Sequence, residues 1–155
     1  MDVISHILLT NLVFKELPTS ERMLTVAFGI MPDMVSFGSM FNSVFLKKIL
    51  FFKKPPKSLF PPYIITIYMA CHSLVIWLAI FIILWLVGLK WLAIAWCGWG
   101  FHILLDIFTH NKKSFPTLIL WPFSKFHFSG IGWSNKWFML FNYLVILFLY
   151  LVFYF

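Results

Sequence analysis

The sequence predicts an all-α fold: an integral membrane helical bundle of three transmembrane helices plus an N-terminal helical hairpin. Three observations predict it. Hydrophobic residues fill 62% of the 155 positions and charged residues only 11%, against about 45–50% and about 25% in soluble domains, which leaves too few charges to coat a soluble surface. The apolar residues are also clumped, since neither 63–89 nor 137–155 holds an Asp, Glu, Lys or Arg, and each run reaches the roughly 20 residues needed to cross hydrocarbon. Finally, the net charge of +7 comes from lysines that flank these runs rather than from a basic stripe, which is the positive-inside pattern and excludes a nucleic-acid surface.

The chain opens on two short apolar stretches, 3–14 and 23–31. They predict a helical hairpin over 1–33, turning at 15–22, where Pro18 and Thr19-Ser20-Glu21 form a helix start. Pro32 is expected to end the second helix because it lacks an amide hydrogen and restricts Met31. Met1-Asp2 is not the basic opening of a secretory signal, so a retained N-terminus is expected. The following stretch, 36–62, carries Lys47, Lys48, Lys53, Lys54, Lys57 and Pro55-Pro56. Residues 41–52 suit an interfacial amphipathic helix, or more simply a basic flank that orients the next span.

Spans are expected at 63–89, 91–111 and 137–155, the first two joined by a tight turn at Gly88-Leu89-Lys90. Between the last two, Pro116, Pro122, Gly130 and Gly132 break up residues 111–136 into an irregular segment over the mouth of the bundle. Trp91, Trp121, Trp133 and Trp137 fall near helix ends, as an interfacial aromatic belt would place them. Cys71 and Cys97 lie in apolar runs and read as small buried hydrophobes. With no repeat or linker, 1–155 is one domain. The lysine-rich segments are expected to face the cytoplasm, with Lys90 and Phe155 on the far side.

An ionised group inside a bilayer costs at least about 2.5–3.5 kcal/mol, so each one calls for a reason. His102, Asp106 and His110 follow at steps of four and therefore share one helix face. His72, nine residues after Tyr63, and His102, ten residues before Lys112, lie about 14–15 Å in from the same edge. Antiparallel neighbours would set them side by side, and the hairpin brings His6 and Asp33 to one level. Together these are four histidines and two aspartates, enough for one or two metal ions. The competing reading of His102 and Asp106 is a buried ion pair. His127 reads as an ordinary packing residue, and Asp2 as a solvated helix start.

Ser5-His6, Met31-Pro32-Asp33, His72-Ser73-Leu74, Phe101-His102-Ile103-Leu104-Leu105-Asp106 and Trp121-Pro122-Phe123, in this order and spacing, resemble the YdjM-type family of inner-membrane metal-dependent hydrolases. Thr109-His110, Phe115-Pro116-Thr117, Leu120-Trp121-Pro122 and Gly130-Ile131-Gly132-Trp133 are similar to a short subgroup of it. The resemblance covers nearly the whole chain. It implies a helical metal core like that of zinc-dependent phospholipase C, with His6, Asp33, His72, His102 and Asp106 as ligands and His110 added by the subgroup. Other branches carry a second acid and a histidine where this chain has Val35 and Ser36, and a His-Arg pair where it has Ile67 and Tyr68.

The expected chemistry is hydrolysis of an ester by a metal-activated water. Zinc suits a mixed imidazole and carboxylate shell best, with manganese or iron as alternatives. His72, His102 and Asp106 are the expected core ligands, His6 and His110 complete the shell, and Asp33 binds a second ion or acts as catalytic base. Membrane lipids are the expected partners and a lipid-like phosphoester the expected substrate. The alternatives are a component that binds or conducts protons or metal ions, and a non-catalytic structural or partner-binding module.

Overall fold

The computed structural model describes residues 1–38, 61–111 and 116–154. The amphipathic stretch at 41–52, the basic run from Lys47 to Lys57, Lys112, Lys113, Phe115 and Phe155 lie outside the described residues. Among those described there are six helices and no strand: α1 Val3–Val13, α2 Thr19–Phe37, α3 Pro62–Cys71, α4 Leu74–Leu86, α5 Lys90–Thr109 and α6 Lys136–Tyr154. The described residues thus form an all-helical bundle. Two helices, α5 and α6, are long and apolar enough to cross a bilayer, and α3 with α4 makes a third crossing if the bent pair is one span.

The N-terminal hairpin forms for local reasons. Asp2 caps α1 by accepting the Ser5 amide at 3.0 Å, and Arg22 closes the turn by donating to the Lys15 carbonyl at 3.2 Å. The second helix does not stop at Pro32. That proline lies inside α2, fully buried, and the helix runs on to Phe37. Proline removes one backbone donor and restricts its predecessor, but packing against neighbouring helices can hold the chain helical through it. The Ser36 hydroxyl supports that last turn by donating to the Pro32 carbonyl at 2.5 Å.

The expected single helix over 63–89 is broken as well. α3 ends at Cys71, α4 begins at Leu74, and their axes differ by 56°. The cause is Ser73, whose hydroxyl caps α4 by accepting the Ile76 amide at 3.3 Å and itself donates to the Trp121 carbonyl at 2.5 Å. The Leu74 amide donates to the Ile119 carbonyl at 3.0 Å. A break in an apolar span is tolerated where side chains and neighbouring backbone satisfy the freed groups, and the segment after α5 supplies both partners here. The turn into α5 uses Gly88 at φ 84°, a conformation that favours glycine.

The central element is α5, with 56% of its apolar window buried against 6% for α6. It packs chiefly on α2 and α4. At Gly98 the α2 backbone comes so close that an added Cβ would lie 2.0 Å from the Thr25 carbonyl oxygen. On the α4 side, the Trp77 and Trp96 indoles each donate to the other's carbonyl at 3.1 Å, and Trp99 donates to the Cys71 carbonyl at 2.7 Å. Close approach at small residues and hydrogen bonds from amphipathic side chains replace the hydrophobic drive that lipid does not supply.

By contrast, α6 leans on α1 through a polar ladder. Asn142 donates to the Ser5 hydroxyl at 2.7 Å, Tyr143 to Asp2 at 2.8 Å and Tyr150 to the Leu8 carbonyl at 3.0 Å, while Asn11 donates to the Tyr150 hydroxyl at 3.0 Å. Asp2 is therefore a helix start, as expected, but a half-buried one tied to another helix rather than a solvated one. Burial pushes its carboxyl up, and hydrogen bonds from Ser5 and Tyr143 outweigh that and hold it below the usual carboxylate value.

Candidate metal centre

His102 and Asp106 stand one turn apart on the buried face of α5, each with no exposed surface. The break between α3 and α4 places His72 at the C-cap of α3 and aims its ring at that face. Asp33 comes from α2, in the helical extension beyond Pro32. Asp33, His72, His102 and Asp106 each offer one ligand atom, all within 4.8 Å of one another. They form a group that can hold a metal ion.

Hydrogen bonding decides which ring nitrogens face the centre. His72 Nδ1 lies 2.9 Å from the Tyr68 carbonyl and His102 Nδ1 lies 2.7 Å from the Gly29 carbonyl. A carbonyl only accepts, so each Nδ1 carries the hydrogen and each Nε2 of the neutral ring presents a bare lone pair. The two Nε2 atoms are 3.2 Å apart. Asp106 Oδ2 lies 3.4 Å from His72 Nε2 and 3.2 Å from His102 Nε2. Asp33 Oδ1 stands further off, at 3.6 Å and 3.9 Å from the same two nitrogens.

These separations match a coordination shell. Zinc bonds to nitrogen and oxygen of about 2.0–2.1 Å in tetrahedral geometry set neighbouring ligand atoms roughly 3.3 Å apart. His72, His102 and Asp106 form a near-regular triangle of that size. Asp33 is set back, and its side chain is 17% exposed where the other three have none exposed. The donor chemistry also fits, because Asp106 Oδ2 is buried without a hydrogen-bond partner among the described residues. Such orphaned acceptors are costly unless a cation or proton satisfies them.

The second oxygen of Asp106 faces a different set. His6 Nε2 lies 3.2 Å from Oδ1 and His110 Nδ1 lies 3.3 Å from it. The Thr109 hydroxyl donates to Oδ1 at 3.3 Å, and the Met1 amino group donates to it too. His6 is almost wholly buried, stacks on the His102 ring with centroids 3.8 Å apart, and neither of its nitrogens has a hydrogen bond of good geometry. The other five residues singled out in the sequence are thus brought around Asp106, with His72 and His102 at Oδ2, His6 and His110 at Oδ1, and Asp33 completing the four-residue group. His127 is elsewhere, partly buried, with Nδ1 at 3.0 Å from the Lys125 carbonyl.

Several residues of the site escaped the sequence reading. Tyr68 is buried and stacks on His72 with centroids 4.0 Å apart. Thr117, also buried, donates to the Asp106 carbonyl at 3.3 Å. The signal available for Thr117 was its place in Phe115-Pro116-Thr117, while a tyrosine in an apolar run carries none. The Gly29 and Tyr68 carbonyls that orient the imidazoles are backbone groups and leave no mark on the sequence. No family model, curated protein or solved structure matches the chain.

Proposed function

We propose that this chain is a membrane-bound metal-dependent hydrolase acting on an ester, with a lipid-like phosphoester as the substrate that its setting favours. The observation that carries this reading is the triangle of His72 Nε2, His102 Nε2 and Asp106 Oδ2, with edges of 3.2–3.4 Å, facing the set-back Asp33. Structural zinc sites close all four positions with protein ligands, whereas catalytic ones keep one for water. Three close ligands and one distant acid resemble the second kind. A bound zinc ion would supply Lewis acidity and lower the pKa of a water there.

The residues of the chain then divide the work. His72, His102 and Asp106 would hold the ion, with the Tyr68 and Gly29 carbonyls fixing the orientation of the two rings. Asp33, the one member of the four that reaches the surface, would serve as the base that takes a proton from a nearby water. His6 and His110 hold Asp106 Oδ1 from behind, which orients the carboxylate. The resemblance to the YdjM-type family implies the same reaction class, in a bacterial inner membrane with the lysine-rich loops cytoplasmic, and the same residues, though with His6, Asp33 and His110 as further metal ligands. Conduction of protons or ions is the weaker reading, because among the four clustered residues only Asp33 opens to the surface.

The test is elemental analysis and turnover on the same purified protein. Zinc should be present at one or more equivalents, and product release from detergent-dispersed phospholipid should stop on chelation and return with zinc. Metal-free protein, or loaded protein that hydrolyses no ester of a broad panel, overturns the proposal.

A further inference from the structure

The segment between α5 and α6 carries a surface that the site itself does not use. Its two arms are pinned beside the metal centre. On one arm Ser73 and Leu74, next to His72, bond the Trp121 and Ile119 carbonyls. On the other, the Gly130 amide donates to the His110 carbonyl at 2.8 Å, Ile131 to Phe108 at 3.0 Å and Trp133 to Thr109 at 2.9 Å. Between the arms, residues 122–129 project as a tip without helix or strand.

This tip is exposed and apolar. Phe123 is 84% exposed and Phe126 and Phe128 are about half-exposed. The Phe126 and Phe128 rings meet edge to face with centroids 5.2 Å apart, so they share one face of the extended chain. Lys125 is exposed, and His127 alternates with the two phenylalanines. Lys136, exposed at the start of α6, lies over the Trp137 ring at 5.4 Å. In water such a patch would be a liability. The tip lies in the connection between two membrane-length helices, and aromatic rings and lysines together are favoured at a membrane surface.

We propose that the 122–129 tip inserts its phenylalanines into the leaflet surface and, with Lys125 and Lys136, binds anionic phospholipid. The aromatic face enters the boundary between headgroups and acyl chains, and the ammonium groups meet the lipid phosphates. Because both arms hang from residues adjoining His72 and His110, the lipids held there lie beside the mouth of the centre. The binding surface stands on its own observations and holds whether or not the centre hydrolyses lipid.

The experiment places a bimane label at position 126 (Phe126→Cys) in full-length protein with Cys71 and Cys97 changed to alanine, reconstituted in phosphatidylcholine/phosphatidylglycerol vesicles. Brominated acyl chains should quench the label at least twofold, while aqueous iodide should quench it several-fold less than a label at position 134 (Ser134→Cys). Strong quenching by iodide with none by bromolipid overturns insertion. Shielding from both quenchers overturns it as well, in favour of a protein partner. In unlabelled protein, Lys125→Gln with Lys136→Gln should at least halve the phosphatidylglycerol that co-purifies relative to phosphatidylcholine, and an unchanged ratio overturns the charge contribution. An unchanged thermal midpoint in detergent for each variant shows that the fold is intact.

Discussion

His72 and His102 face each other through their Nε2 atoms at 3.2 Å, each ring held by a backbone carbonyl at its other nitrogen. Two lone pairs cannot satisfy one another, and the carboxylate oxygen closing the triangle is an acceptor too. A positive charge among these atoms would satisfy them. A buried proton would leave the remaining acceptors competing for it, whereas a divalent ion meets all three at once.

Removal of a core ligand should therefore strip the metal. His102→Ala and Asp106→Ala are expected to lose at least tenfold in zinc content by elemental analysis, with membrane insertion retained, because α5 stays apolar and packed on α2 and α4. Full zinc content in both variants would refute the ligand assignment.

Asp33 should separate binding from chemistry. Asp33→Asn keeps the size and one acceptor oxygen but cannot take a proton, so most of the metal should remain while turnover falls by about 10²–10⁴-fold, the usual worth of a positioned base. Equal loss of metal and turnover would make Asp33 a fourth ligand and the site a closed one.

Chelation tests the coupling of metal to fold. Side chains from α2, the α3–α4 break and α5 meet at the centre, so a bound ion would stabilise their packing by mass action. Treatment with a strong chelator should lower the thermal midpoint in detergent, and zinc should restore it. A midpoint unmoved by either step would mean that the centre is filled by something other than exchangeable metal.

Gly98→Ala probes the contact that brings α2 to α5. An added Cβ would meet the Thr25 carbonyl at 2.0 Å, backbone against side chain with no flexible end to move. The helices must part, at a cost of about 1–3 kcal/mol. Since α2 carries Asp33 and the Gly29 carbonyl, zinc affinity should fall with stability although position 98 touches no ligand. Substitution of His127, by comparison, should leave metal content unchanged.

The residue pattern alone determined that this chain has runs long and apolar enough to cross a membrane and that α5 shows an imidazole and a carboxylate on one face. Both follow from local regularities: uncharged runs of bilayer length, and a spacing of four that returns to the same side of a helix. The adjacency of His72 and His102 was likewise legible, because antiparallel helices of known rise bring equal depths together. Tertiary structure decided the rest. Pro32 stays inside α2 because neighbouring helices bury it, and the apolar run at 63–89 bends at His72 because Ile119 and Trp121, far along the chain, supply hydrogen-bond partners. Nor does spacing reveal that Asp106 turns one oxygen to His72 and His102 and the other to His6 and His110. Which lone pair a buried atom presents depends on groups distant in sequence, and those meet only once the helices have packed.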